Sequence, residues 1–127
     1  MKKTNRQKKE KELDMLWQQV VTKRANYRCE LIDQDGVRCS RETSCGHHII
    51  LKSASRALRW RTDNGIGICL NCHYGVHGSR YSGKYMLFII NKIGITKYKE
   101  LWRTSQTISK FTLKDLDKIK EKLTNEY

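Results

Sequence analysis

Apolar residues recur along the opening third of the chain with a helical period. Leu13, Leu16, Trp17, Val20 and Val21 fall at i, i+3, i+4, i+7 and i+8, the stripe of an amphipathic helix over residues 10–25. Lys11, Gln18, Lys23 and Arg24 are expected on its polar side, and Asn26-Tyr27-Arg28 ends it. The pattern then shortens. Two extended arms flank Asp35-Gly36, a tight-turn pair, and would bring Cys29 and Cys39 to one end of a hairpin. Gly46–Leu51 and Ile66–Leu70 are short and rich in β-branched residues and are expected to pair as a second hairpin. The connection 52–65 between them is long, polar and basic.

Helical periodicity returns after Cys72. It predicts a short helix through His73 that breaks at Gly78-Ser79, then a helix over 84–93 with Met86, Phe88, Ile89, Ile90 and Ile93, stopped by Gly94. A further short helix over 97–103 would gather Tyr98, Leu101 and Trp102 on one side, with Trp17 and Trp102 both expected in the core. The last helix starts at Thr112-Leu113-Lys114-Asp115 and continues through Leu116, Ile119 and Leu123. The expected class is α+β, one domain over 10–127: an N-terminal helix 10–25, a hairpin-rich centre 29–78 and a helical extension 82–127. Residues 1–9 form a basic, disordered tail.

Composition narrows the function. Twenty-six basic against 13 acidic side chains give +13, which points to a polyanionic partner, nucleic acid first. No run approaches the roughly 20 apolar residues of a membrane span, and no signal-type stretch follows the charged opening, so a cytoplasmic place of action is expected. Five cysteines in a reducing compartment fit metal better than disulfides. Cys29, Cys39, Cys69 and Cys72 can form a four-thiolate zinc site, with Cys45 a small buried residue or a substitute for one of the four.

All four histidines lie between Cys45 and His77. His73 and His77 are four apart and share one helix face; with His47 they can hold one divalent cation with positions left open. His48 follows His47 on a strand, so its ring turns the other way and can act as general base toward water attacking a phosphate. Asn64, between the strands, would orient the His48 ring, unless Asp63-Asn64-Gly65 is simply a turn. Lys52, Arg56, Arg59, Trp60 and Arg61 lead to Asn64 and would clamp the nucleic-acid backbone beside the scissile phosphate without reading bases.

These residues resemble the HNH endonucleases, the ββα-metal nucleases. The likeness covers Cys29 to His77, and the three letters of the family name fall on His48, Asn64 and His73. The double histidine with His73-x-x-x-His77 is similar to the nuclease domains of bacterial colicins. A longer likeness joins Leu13-Asp14-x-x-Trp17, Tyr27-Arg28-Cys29, Leu58-Arg59-Trp60-Arg61-x-Asp63-Asn64, and the stretch from Tyr85 through Ile93-Gly94 to Phe111-Thr112-Leu113. It resembles phage recombination proteins of the NinG/Rap type and the related Ref nuclease. Those usually carry one histidine where this chain has two, which leaves either His48 or His47 as the base.

The resemblance implies a metal-dependent endonuclease giving 5′-phosphate and 3′-hydroxyl ends, phage-encoded, acting in DNA recombination or processing on duplex, nicked or branched DNA. A recombinase filament is an implied partner. Its catalytic cation would be Mg²⁺ or Mn²⁺, while an all-imidazole ligand set also admits Zn²⁺ or Ni²⁺. Two other readings stand beside it: a non-catalytic zinc-stabilised module that binds DNA or a recombinase, and an RNA-directed nuclease.

Overall fold

The computed structural model describes residues 2–78 and 82–127. Among the described residues the chain is mixed α and β, with five α-helices and one antiparallel pair of strands. In chain order these are α1 (Asn5–Arg24), β1 (Cys45–His48), β2 (Gly65–Ile68), α2 (Leu70–His77), α3 (Ser82–Ile93), α4 (Ile95–Ser105) and α5 (Leu113–Glu126). Of the expected break at Gly78-Ser79, Gly78 caps α2 and Ser79 lies outside the described residues.

The first helix starts earlier than its apolar stripe. Thr4 and Gln7 form a reciprocal cap, the Thr4 hydroxyl accepting from the Gln7 N–H at 3.1 Å and the Gln7 amide from the Thr4 N–H at 2.9 Å. Arg6 donates to the Phe111 carbonyl at 2.6 Å, and Lys9 pairs with Asp117. Residues 5–9, expected to be disordered, are therefore helical, because cap and C-terminal helix both hold them. At the other end Asn26 and Tyr27 take left-handed backbone (φ 55° and 57°), and their N–H groups return to Lys23 and Thr22 at 2.9 and 3.0 Å. This reversal turns the chain into the first cysteine hairpin.

Leu13, Trp17, Val20 and Val21 are buried as the stripe requires. One side of α1 lies on the strands. There Gln18, expected to face outward, uses its amide as a strand would, accepting from the Gly46 N–H at 2.6 Å and donating to the Gly46 carbonyl at 2.8 Å. The other side packs on α5. Lys9 meets Asp117, Glu12 meets Lys120 at 2.7 Å, and Lys23 reaches the Tyr127 carbonyl, so the two helices run in the same direction. Trp60, Leu116 and Leu123 complete this core.

A second core lies across the strands, where Leu31, Ile49, Leu58, Ile66, Ile68, Phe88, Ile89 and Leu101 are buried together. The first hairpin closes as expected. Asp33 Oδ1 accepts from Asp35 and Val37 at 2.9 Å, and Gly36 occupies the turn with φ +78°. Its Glu30 is locked to β2: the Glu30 N–H donates to the Gly67 carbonyl at 2.9 Å, and the Gly67 N–H to the Glu30 carboxylate at 2.8 Å. Trp17 is core, but Trp102 is 53% exposed, because α4 turns Leu101 inward and leaves its neighbour outside. No helix among the described residues is long and apolar enough to cross a membrane.

The α1–strand contact leaves no room for a methyl group at Gly65. A Cβ there would stand 2.5 Å from Val21 Cγ2 and 2.7 Å from Trp17 Cζ2, while the Gly65 φ of −124° suits any residue. Gly65→Ala is therefore expected to cost about 1–3 kcal/mol through overpacking alone. Chemical denaturation checks this; an unchanged midpoint would show that α1 is not seated on the strands as described.

Candidate metal centres

Two clusters of metal-ligating side chains form on adjoining elements. In the first, one sulfur each from Cys29, Cys39, Cys69 and Cys72 lies within 4.8 Å of the others. The hairpin supplies Cys29 and Cys39. Cys69 caps α2, its sulfur accepting from the Cys72 N–H at 3.5 Å, which brings Cys72 back one turn later. The Cys39 sulfur lies 3.8 Å from that of Cys69 and 3.9 Å from that of Cys72. A tetrahedron with Zn–S bonds of about 2.3 Å has edges of about 3.8 Å, so the set fits a structural zinc.

The charge state agrees. A hydrogen bond from Cys72, with the Leu31 and Cys69 N–H groups, pulls the Cys29 thiol down to about 5 against its burial. The same contact with Cys29 pushes Cys72 far up, with burial adding to it, and burial together with the Cys29 charge raises Cys39. Without a cation one thiolate suppresses its neighbours; a divalent ion removes that conflict. Cys45 is half-buried, belongs to neither cluster, and has its thiol raised by burial.

The second cluster is His47, His73 and His77, with ligand nitrogens again within 4.8 Å. Strand β1 pairs with β2 in the register His47↔Ile66 and His48↔Gly65, so adjacent histidines leave on opposite faces. His47 turns to α2, its ring centroid 6.0 Å from that of His73 and 5.2 Å from that of His77; the two α2 rings are 4.7 Å apart. Among the described residues none of these three rings makes a hydrogen bond. Burial, with His77, His73 and His48 nearby, holds His47 down to about 4, and burial with His77 lowers His73. Both shifts favour the neutral ring, the form that offers a lone pair to a cation. His47 is buried, His73 half-buried and His77 exposed, so the cluster opens to solvent on one side.

His48 turns to α1 and stacks on Trp17, with centroids 3.8 Å apart and planes 3° from parallel. Its Nε2 is 2.8 Å from the Arg59 carbonyl. A carbonyl only accepts, so Nε2 carries the proton and Nδ1 keeps its lone pair. Burial lowers the His48 pKa, partly opposed by the Arg59 carbonyl, and the ring is neutral.

Asn64 does not hold this ring. Its amide accepts from the Ile50 N–H at 2.8 Å and donates to the Ile50 carbonyl at 2.9 Å and the Leu58 carbonyl at 3.4 Å. The expected orienting contact to His48 is replaced by a side chain that extends the strand ladder and closes the loop after His48.

The basic loop also differs from expectation. Trp60 is 5% exposed and donates to Asp14 at 2.9 Å, so it is a core residue. Arg59 makes a two-pronged contact with Asp14 at 2.9 and 3.1 Å and reaches Glu10 at 3.4 Å. Arg56 pairs with Glu10 at 2.7 Å, Lys52 with Asp14 at 3.7 Å, and Arg61 with Asp63 at 2.6 Å. Burial pushes the Asp63 carboxyl up, but Arg61 and Lys97 outweigh it and hold it down to about 2. Three carboxylates, two on α1 and one in the loop itself, thus engage the four cations assigned to a phosphate clamp, leaving the cluster with a net positive charge.

Compared with known protein families, with curated proteins and with solved structures, the chain finds no match in any of the three.

Two measurements check the centres. The purified chain is expected to retain one zinc ion, and Cys72→Ala to release it and lower the melting temperature by about 10 °C or more. Elemental analysis that finds no zinc in the intact chain would refute the four-sulfur site. In the metal-free state His47 has a folded pKa near 4 against an ordinary 6.5, so the unfolded chain takes up its proton first. Stability is then expected to fall as pH drops from about 6.5 through about 4, and His47→Gln to flatten that part of the profile. Denaturation curves across this range, identical for the two proteins, would contradict the assignment.

Proposed function

We propose that the chain is a metal-dependent endonuclease of the HNH, ββα-metal kind. It hydrolyses DNA phosphodiester bonds to 5′-phosphate and 3′-hydroxyl ends, with little base preference, in DNA recombination or processing. One observation carries the reading: three imidazoles, with His77 open to solvent, gather within 4.8 Å of one another, while the strand residue next to His47 sets its own Nε2 2.8 Å from a carbonyl on the opposite face. A scaffold module has use for the four sulfurs but none for this second arrangement.

His47, His73 and His77 would hold the catalytic cation, which supplies positive charge to the phosphate and leaving oxygen as negative charge develops there. His48 is the base, because His47 points into the ligand cluster. As the oxygen of water bonds to phosphorus and the P–O3′ bond breaks, Nδ1 of His48 takes the water proton, and the departing 3′ oxygen keeps the bonding pair and takes a proton from solvent. The imidazolium that forms is stabilised through the Nε2–H bond to the Arg59 carbonyl. Trp17 fixes the ring plane and is itself held by its Nε1 donating to the Arg61 carbonyl at 2.9 Å. Asn64 serves the site indirectly, by fixing the chain just past His48.

His48→Ala is expected to lower the cleavage rate of a labelled duplex by about 10²-fold or more while leaving DNA affinity unchanged. Trp17→Phe, which can still stack, should retain most of that rate, and Trp17→Leu should lose it at similar substrate affinity. Cleavage by His48→Ala at the parental rate would sink the proposal. DNA binding without cleavage by the intact chain under any divalent cation would leave only the zinc-stabilised binding module.

A further inference from the structure

With the loop cations engaged by carboxylates, most of the excess positive charge lies on other surfaces. We propose that the outer face of the α1/α5 pair, formed by Lys8, Lys11, Lys114 and Lys118, binds a nucleic-acid backbone. The inference rests on the reading that DNA is the partner, but not on catalysis.

Because α1 and α5 run in the same direction, their N-terminal halves lie side by side. The carboxylates of the seam are already occupied: Glu12 by Lys120, and Asp117 by Lys9. Asp115 is used in the α5 cap, accepting from the Thr112 N–H at 2.8 Å. Lys8, Lys11, Lys114 and Lys118 remain exposed, and among the described residues none of them has an ion-pair partner. Glu121 is the one carboxylate of α5 besides these without a partner among the described residues; Glu126 accepts from Thr62 at 2.8 Å.

Lysines four apart on α5 and three apart on α1 share a helix face, so their charges add over one surface instead of dispersing. Lys3 crowds Lys11, which lowers its pKa. A polyanion would relieve this mutual repulsion. Nucleic acid suits the face better than a bilayer surface does: among the described residues within α1 and α5 the exposed large apolar residues are Met15 and Leu113, too few to insert between lipids. The contact is to phosphate, without base recognition, since lysine acts as a point charge.

The test removes the charge and keeps the helices. Affinity of the full chain for a fluorescent duplex is measured by anisotropy from 50 to 300 mM salt in a divalent-free buffer. The measurement is repeated for a K8Q/K11Q/K114Q/K118Q variant and for a K84Q/K92Q/K99Q/R103Q variant that loses equal charge from α3 and α4. The slope of log affinity against log salt is expected to fall by about 3.6 for the first variant, about 0.9 for each lysine–phosphate contact, and by less than about 1 for the second. The first variant should melt no lower than the parent. Equal losses in the two variants, or no loss in the first, would overturn the surface. Phosphatidylserine vesicles bound more tightly than the duplex, in a manner that depends on the same four lysines, would overturn nucleic acid as its partner. A chain that binds through these lysines but never cleaves would refute the nuclease and leave this inference standing; cleavage with no effect of the lysines would do the reverse.

Discussion

Everything else in this molecule depends on the convergence of four sulfurs. Cys29 and Cys39 come from a hairpin with almost no apolar residue at its tip, while Cys69 and Cys72 come from the junction of β2 and α2. Two short strands and an eight-residue helix cannot hold one another in place on apolar burial alone. A cation shared by the thiolates would tie them together, and the two hydrogen bonds between Glu30 and Gly67 add a second tie. With the start of α2 fixed, the rest of this two-turn helix has little freedom. His73 and His77 must then face His47 across the width of the strand pair.

The second constraint is α1. Its close approach to Gly65 and its amide clamp on Gly46 set the face of the strands that His48 occupies, and its indole covers that ring. One helix thereby governs both the geometry and the solvation of the His48 ring, while its far side is bound to α5. Glu10 and Asp14, on the same helix, draw in Arg56, Arg59 and Lys52 and so fix the loop whose carbonyl holds His48. The cations nearest the site thus also tie the loop to the scaffold.

Much of this was legible in the sequence, for local reasons. The apolar stripe of α1, the Asp35-Gly36 turn, the Cys69-x-x-Cys72 step and the four-residue spacing of His73 and His77 each depend on neighbours in the chain, and each appears where its spacing puts it. The start of α1 was also written locally, in Thr4-x-x-Gln7, but the charge of the segment masked it. What was not legible depends on partners far along the chain. Arg59 and Trp60 read as nucleic-acid contacts until Asp14, 45 and 46 residues away, takes both. Asn64 reads as a partner of His48 until the loop closes and Ile50 claims its amide. Trp102 reads as core because nothing local distinguishes it from Leu101 beside it.

Two metal-holding centres of different chemistry are proposed to share one small fold, the sulfur set as scaffold and the imidazole set as reaction site. Titrating Mn²⁺ into zinc-loaded protein, while following bound metal and strand cleavage together, tests this most directly. Cleavage is expected to rise with a single further equivalent of Mn²⁺ while the zinc stays bound. Full cleavage with zinc alone in the sulfur site, or no cleavage once a second ion is held by the histidines, would contradict it.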